Sequence, residues 1–134
     1  MFSHPNRDNF NAPLGREMAA RGYRVLMVNF RGEDDWGRGM AESYLPPISE
    51  GITYLRELPG VETVVLVGHS GGGHVASLYQ NVAENGPGAC SGPEKIFPCP
   101  TDDIGELAPA DGFVLLDSTL GAFHNLSVVG PAQR

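Results

Sequence analysis

The sequence predicts an α/β fold, in which a parallel sheet carries helices on both faces and forms the middle layer of a three-layer sandwich. Three short apolar segments bounded by turn-forming residues are typical of buried parallel strands; they are 23–30, 63–68 and 112–117. Helical patterns alternate with them, at 12–22, 46–60 and 74–86. This regular alternation favours right-handed crossovers and therefore a parallel sheet of three or four strands.

Each predicted helix has an apolar face or a boundary signal. In 12–22, Leu14 and Met18 share a face and Gly22 supplies a stop signal. In 46–60, two prolines suit the helix start and Pro59–Gly60 ends it. The apolar stripe of this helix is Ile48, Ile52 and Leu55, and that of 74–86 is Val75, Leu78, Tyr79 and Val82.

Composition narrows the class of protein. The 134 residues are 41% hydrophobic and 19% charged, which is typical of a globular domain, and the net charge of −7 argues against nucleic-acid binding. The apolar runs are too short for a transmembrane segment, and the first residues lack the pattern of a signal peptide. We therefore expect a cytoplasmic location.

The stretch 86–111 is a long excursion rich in glycine and proline, and it contains Cys90 and Cys99. The favoured interpretation is two free thiols or one surface thiol pair. A disulfide would require an oxidising compartment, and a zinc site would require further ligands at suitable spacing.

Residues 68–72 read Gly-His-Ser-Gly-Gly and fit the pattern G-x-S-x-G between a predicted strand and a predicted helix. Glycines allow the tight turn that this position needs, and a positive φ at Ser70 would lift its hydroxyl above the sheet edge. The helix N-terminus would then direct N–H groups at that oxygen, and the Gly71 amide would form half of an oxyanion hole. The pattern indicates a nucleophile elbow.

Two other interpretations of the glycine run stay open. Residues 71–76 also match the dinucleotide fingerprint G-x-G-x-x-A, although the acidic residue expected downstream would be near Glu94, within the excursion. The run could equally be a structural turn without chemistry. A Walker-type phosphate loop is excluded because the Gly-Lys-Ser/Thr sequence is missing.

The segments "YRVLMVNFRG", "VVLVGHSGGG" and "SHPN" together resemble the α/β-hydrolase superfamily over nearly the whole chain. The resemblance implies that 23–30, 63–68 and 112–117 correspond to the fourth, fifth and sixth strands of that fold. Residues 3–6 then take the place of the oxyanion loop, and Asn6 would supply the second backbone donor. Residues 1–134 would form a partial α/β-hydrolase domain, with a lid segment starting at 118–134.

The resemblance implies a triad in the order Ser, Asp or Glu, His. Asp117, at the carboxyl end of 112–117, is the candidate acid, and an Asp that caps a turn is the alternative. His4, His69 and His74 do not suit the base, and His124 follows Asp117 too closely for the strands that should intervene. We therefore expect the base histidine outside this chain.

The sequence thus predicts a serine hydrolase that acts on an ester, amide or related acyl bond of a small molecule, without metal or cofactor. The alternative is a non-catalytic fragment or pseudo-hydrolase that at most binds a small molecule or a partner. The acidic loop residues Glu33, Asp34 and Asp35 are interpreted as solvated, and Trp36 as a pocket-lining or packing side chain. Open sheet edges should favour self-association.

Overall fold

The computed structural model describes residues 1–3, 8–30, 41–93, 99 and 104–118. The described strands and α-helices are, in chain order, β1 (Phe2–Ser3), α1 (Pro13–Ala20), β2 (Met27–Val28), α2 (Leu45–Glu57), β3 (Val65–His69), α3 (Gly71–Asn85) and β4 (Gly112–Leu116). Short 3-10 helices occupy Asn9–Asn11, Ala41–Tyr44 and Pro87–Cys90.

The four described strands form one parallel sheet in the order β2-β1-β3-β4. The predicted parallel α/β architecture is therefore confirmed. The short strand β1 lies between β2 and β3, and its Phe2 pairs with Met27 on one side and Val67 on the other. β3 and β4 are paired over five residues each, from Val65 opposite Gly112 to His69 opposite Leu116.

Helices cover both faces of this sheet, as predicted. A Cβ on Gly15 of α1 would collide with the side chain of Met27, so α1 packs closely on the Met27 face. A Cβ on Gly51 of α2 would lie 2.8 Å from Met1 Sδ and 3.2 Å from Leu26 Cδ2. Since successive residues of extended backbone point to opposite faces, Leu26 and Met27 place α2 and α1 on opposite sides.

The main core lies between the sheet and the layer formed by α2 and α3. The predicted apolar stripes are confirmed, because most of their side chains have no more than a few per cent of their surface exposed. The largest of the fully buried apolar side chains are Leu45, Ile48, Ile52, Leu66, Val75, Tyr79 and Val82. This packing holds α3 firmly against β3, the two elements that meet at Ser70.

Several element boundaries differ from the prediction, and two of the differences have a clear physical reason. The strand predicted over 23–30 is reduced to Met27–Val28, because its neighbour β1 is two residues long and a strand forms a ladder only where a partner faces it. Helix α3 begins at Gly71, three residues earlier than predicted, immediately after the turn at Ser70. The helix stop at Gly22 is confirmed, since α1 ends at Ala20 and Gly22 has φ of +89°. Helix α2 ends at Glu57, before the predicted stop at Pro59–Gly60.

The cysteines differ from the favoured interpretation. Cys90 and Cys99 form a disulfide with a Cα–Cα distance of 5.9 Å, and both residues are buried. The prediction of two free thiols or one surface thiol pair is therefore wrong. A spacing of nine residues does not by itself reveal whether two cysteines lie close enough in space to be bridged.

Candidate functional site

A single residue, Ser70, connects strand β3 to helix α3. β3 ends at His69 and α3 begins at Gly71, and Ser70 has φ of +52° and ψ of −120°. The positive φ expected from the glycine-flanked turn is therefore present. Such a conformation is rare for a residue with a Cβ and costs on the order of 1–3 kcal/mol, so the surrounding structure must hold it in place.

The turn is held by close contact between the backbones of β3 and α3. A Cβ on Gly68 would collide with the carbonyl oxygen of Gly72 and would lie only 2.7 Å from Gly73 Cα. Glycine at position 68 thus lets the first turn of α3 rest directly on the strand. The Gly73 N–H donates to the Ser70 carbonyl oxygen at 3.0 Å, which closes the turn.

Helix α3 points its N-terminus at Ser70. The helix is 15 residues long, and Ser70 is its N-cap residue without a side-chain capping hydrogen bond. The first N–H groups of a helix have no intrahelical acceptor, and the helix dipole places partial positive charge at that end. The Gly71 N–H is therefore one of the donors at this end of the helix that lack an intrahelical acceptor.

The sheet brings Asp117 next to Ser70. The Ser70 N–H donates to the Leu116 carbonyl oxygen at 3.0 Å, which continues the ladder of His69 and Leu116 by one more step. Asp117 is the next residue of the chain, is exposed, and has a positive φ of +47°. Two non-glycine residues with positive φ thus lie side by side where two parallel strands end.

The histidines of the described residues occupy different positions. His69 is the last residue of β3, and His74 is in the first turn of α3; both are half-buried. Burial lowers the pKa of His74, which favours its neutral form. His4, His124 and the candidate donor Asn6 lie outside the described residues.

The other candidate residues named from the sequence also fall outside the described part of the chain. Glu33, Asp34, Asp35, Trp36 and Glu94 lie outside the described residues. Within the described part of the chain, no three potential metal-ligating side chains come together. In the same part, no helix is both long and apolar enough to cross a membrane.

One contact beside Ser70 has no signal in the sequence. The side chain of Ser118 packs against Gly73, so closely that a Cβ on residue 73 would overlap its Cβ and Oγ. The two residues are far apart in the chain and belong to different elements. Only the pairing of β3 with β4, which determines where β4 ends, brings them together.

A cavity of about 500 Å³ begins at the opposite end of the sheet from Ser70 and extends to Val67 of β3 and Val114 of β4. It is lined mainly by apolar side chains of α1 and of the chain that enters β2 and β3, including Leu14, Met18 and Val65. The lining residue of β3 nearest to Ser70 is Val67, so the shortest separation along the strand is roughly 10 Å at about 3.3 Å per residue. Ser70 itself does not line this cavity.

Comparison with protein families matches residues 2–132 to the model of the alpha/beta hydrolase family. The match covers nearly the whole chain, including β3, Ser70, α3 and β4. Comparison with curated proteins and with solved structures found no match in either case.

Proposed function

Because this chain belongs to the alpha/beta hydrolase family, we propose that it is a serine hydrolase that cleaves an ester, amide or related acyl bond through Ser70. The observation that carries the proposal is the conformation of Ser70, with φ of +52° between β3 and the N-terminus of α3. Strained backbone concentrates at functional sites, and this strained residue carries a hydroxyl at the carboxyl edge of a parallel sheet.

In the proposed reaction, Ser70 Oγ attacks the acyl carbonyl carbon while a histidine base removes the hydroxyl proton. The carbonyl oxygen becomes an oxyanion, which the N–H groups of Gly71 and Asn6 stabilise. The leaving alcohol or amine departs with the proton, and water then hydrolyses the acyl-enzyme by the same steps in reverse.

Two features of the site support this chemistry. The positive end of the α3 dipole faces the position where the oxyanion develops, and a fixed donor requires no reorganisation during the reaction. Asp117 lies beside Ser70 at the end of the neighbouring strand, where a carboxylate can orient a histidine and stabilise its imidazolium form. We propose Asp117 as the acid of the triad on this ground.

The test is covalent labelling of the full-length protein, as its own cells produce it, with a fluorophosphonate probe, followed by mass-spectrometric mapping of the adduct; this full-length protein is the parent for all variants. We expect an adduct on Ser70 that disappears in Ser70→Ala. Ser91→Ala is the matched control, because it removes an exposed serine from the excursion after α3 and should leave labelling unchanged. Absence of an adduct on Ser70 in the parent protein would refute the proposal.

Turnover of p-nitrophenyl esters separates the proposed hydrolase from a non-catalytic relative that only binds small molecules. We expect turnover that Ser70→Ala reduces by about 10³-fold or more, since removal of a catalytic serine removes most of the transition-state stabilisation. Turnover that persists in Ser70→Ala would show that another group performs the reaction.

A further inference from the structure

The turn after β4 rests on the first turn of α3 through one pair of residues. The Ser118 side chain occupies the space that a side chain on Gly73 would need. The Ser118 Cα is 3.4 Å from the position of a Cβ on Gly73, so even the backbone of the turn is close. Rotation of the Ser118 hydroxyl would relieve only part of the overlap, because the Ser118 Cβ lies within it too.

The same glycine is in contact with β3 on its other side. Gly73 Cα packs against Gly68 of β3. The Ser77 hydroxyl donates to the Gly73 carbonyl oxygen at 3.0 Å. Gly73 is therefore enclosed by the strand, by its own helix and by Ser118. A shift of Ser118 relative to Gly73 must move the turn after β4, because packed interiors leave little free volume to absorb it.

This arrangement links the positions of Ser70 and Asp117. Asp117 lies between two fixed points, because the Leu116 carbonyl oxygen accepts from the Ser70 N–H at 3.0 Å and Ser118 packs on Gly73. Its positive φ of +47° is unfavourable for an aspartate, and contacts on both sides are what can hold it.

We infer that Ser118 is a positioning residue, whose side chain seats the Asp117 turn on Gly73 and so determines the placement of Asp117 relative to Ser70. This inference rests on the proposed function in so far as Asp117 serves the reaction of Ser70. It predicts that the size of residue 73 and the size of residue 118 act together on the reactivity of Ser70.

The experiment measures the rate constant of Ser70 phosphonylation per folded molecule in Gly73→Ala, Ser118→Gly and the double variant. Gly73→Ala should slow labelling by about tenfold to a hundredfold, since a displacement near 1 Å has such effects. Ser118→Gly alone should slow it severalfold because the turn loses its support. In the double variant the methyl group added at position 73 enters the space that the Ser118 side chain vacates, so the rate should return to that of Ser118→Gly.

Coupling to Asp117 separates positioning from a general structural role. In the parent background Asp117→Asn should slow labelling, and in the Gly73→Ala background the same substitution should have a smaller effect, because Asp117 is already displaced. Gly88→Ala is the matched control, because a Cβ there meets nothing within 4 Å. Equal effects of Asp117→Asn in both backgrounds would overturn the inference.

Urea unfolding distinguishes failure of this inference from failure of the proposed function. Absence of labelling in the parent protein would refute the hydrolase proposal, whereas the contact of Ser118 with Gly73 can still be measured by stability. We expect Gly73→Ala to destabilise the fold and Ser118→Gly to relieve part of that loss. Strictly additive losses in the double variant would overturn the contact itself.

Discussion

Asp111 joins three elements with one exposed carboxylate. Its side chain accepts from the Val64 N–H at 2.7 Å and from the Arg56 guanidinium at 3.0 Å, while its own N–H donates to the Val64 carbonyl oxygen at 2.9 Å. The Val64 hydrogen bond, with the contribution of Arg56, holds the pKa of Asp111 below its ordinary value of 3.8. The residue thereby ties the starts of β3 and β4 to the end of α2.

Asp111 should therefore make stability depend on pH. Because its folded pKa is below the unfolded value, its contribution is fully present above the unfolded value of 3.8 and is lost as the pH falls through the folded pKa. We expect Asp111→Asn to lower the free energy of unfolding at neutral pH, with a difference that shrinks below pH 3.8. Urea unfolding at several pH values measures this, and Glu57→Gln, an exposed carboxylate of α2, is the control. A difference that does not change with pH would contradict the assignment.

Gly68 should tolerate no side chain. An alanine methyl group would lie 2.7 Å from Gly73 Cα and 2.8 Å from the Gly72 carbonyl carbon, and backbone atoms cannot rotate away as the end of a side chain can. We expect Gly68→Ala to destabilise the fold by about 1–3 kcal/mol, as other overpacked sites do. Urea unfolding measures the loss; a stability equal to that of the parent protein would show that β3 and α3 separate easily.

The excursion between α3 and β4 is anchored to the helices beneath it. Gln80 donates to the Ala110 carbonyl oxygen at 2.9 Å and accepts from the Ala110 N–H at 3.1 Å, so its amide pairs with the backbone. The Tyr79 hydroxyl donates to the Ala108 carbonyl oxygen, and the Ser49 hydroxyl accepts from the Ala108 N–H. These contacts lead the chain into β4 in a defined position.

The disulfide between Cys90 and Cys99 should stabilise the same excursion. Closure of a loop of this length removes conformational entropy from the unfolded chain and contributes about 3 kcal/mol. We expect a reductant to lower the urea midpoint of the parent protein and to leave that of the Cys90→Ser/Cys99→Ser variant unchanged. An unchanged midpoint of the reduced parent would contradict this expectation.

The disulfide also bears on the compartment in which the protein folds. Disulfides persist mainly in oxidising compartments, whereas the N-terminal residues led to the expectation of a cytoplasmic location. Alkylation of thiols in protein isolated from its own cells, before any reduction, distinguishes these two compartments. Modification of Cys90 and Cys99 indicates the cytoplasm, and protection of both indicates an oxidising compartment.

Elements with a strong local pattern could be predicted from the sequence. The stripes of α2 and α3 and the positions of β3 and β4 follow from residue type and spacing. The prediction that 112–117 is a buried strand is wrong, because residues 113–116 are 42–48% exposed on the end strand of the described sheet. The length of β2 could not be predicted, because it depends on how much of β1 faces it. The disulfide and the hydrogen bonds of Gln80 with Ala110 could not be predicted either. Whether these residues meet depends on the three-dimensional course of the chain, which local sequence patterns do not encode.

Some features of the candidate site could likewise be predicted from the sequence, and others could not. The position of Ser70 between a strand and a helix, with a positive φ, follows from its flanking glycines. The proximity of Asp117 depends on the register of β3 against β4, which sets where the two strands end. The contact of Ser118 with Gly73 depends on that register as well, and a serine after an aspartate carries no local sign of it.

At the scale of the whole molecule, much apolar surface of the sheet stays exposed. β4 is the end strand of the described sheet, and its side chains from Phe113 to Leu116 are 42–48% exposed. Parallel sheets are normally covered on both faces, and an apolar edge strand without charge or proline is a site for pairing with another chain. On this ground we expect the chain to self-associate through β4.

Val114→Lys should weaken that association, because a charge on an edge strand opposes pairing. We expect the dimer dissociation constant from sedimentation equilibrium to rise by about tenfold or more, which corresponds to about 1.4 kcal/mol. Tyr54→Lys is the matched control, since it also replaces an exposed apolar side chain, on the far helix α2. A parent chain that stays monomeric at high concentration would contradict the expectation.

The glycine packing around Ser70 has a consequence for how this protein can be engineered. Every substitution of Gly68 adds atoms to a space that backbone atoms of α3 already fill, so this position offers no graded series of variants. A mutant library built at position 68 would therefore divide into active and inactive members with little between them. At position 73 the neighbour is the Ser118 side chain, so a library that varies residues 73 and 118 together can span intermediate reactivities.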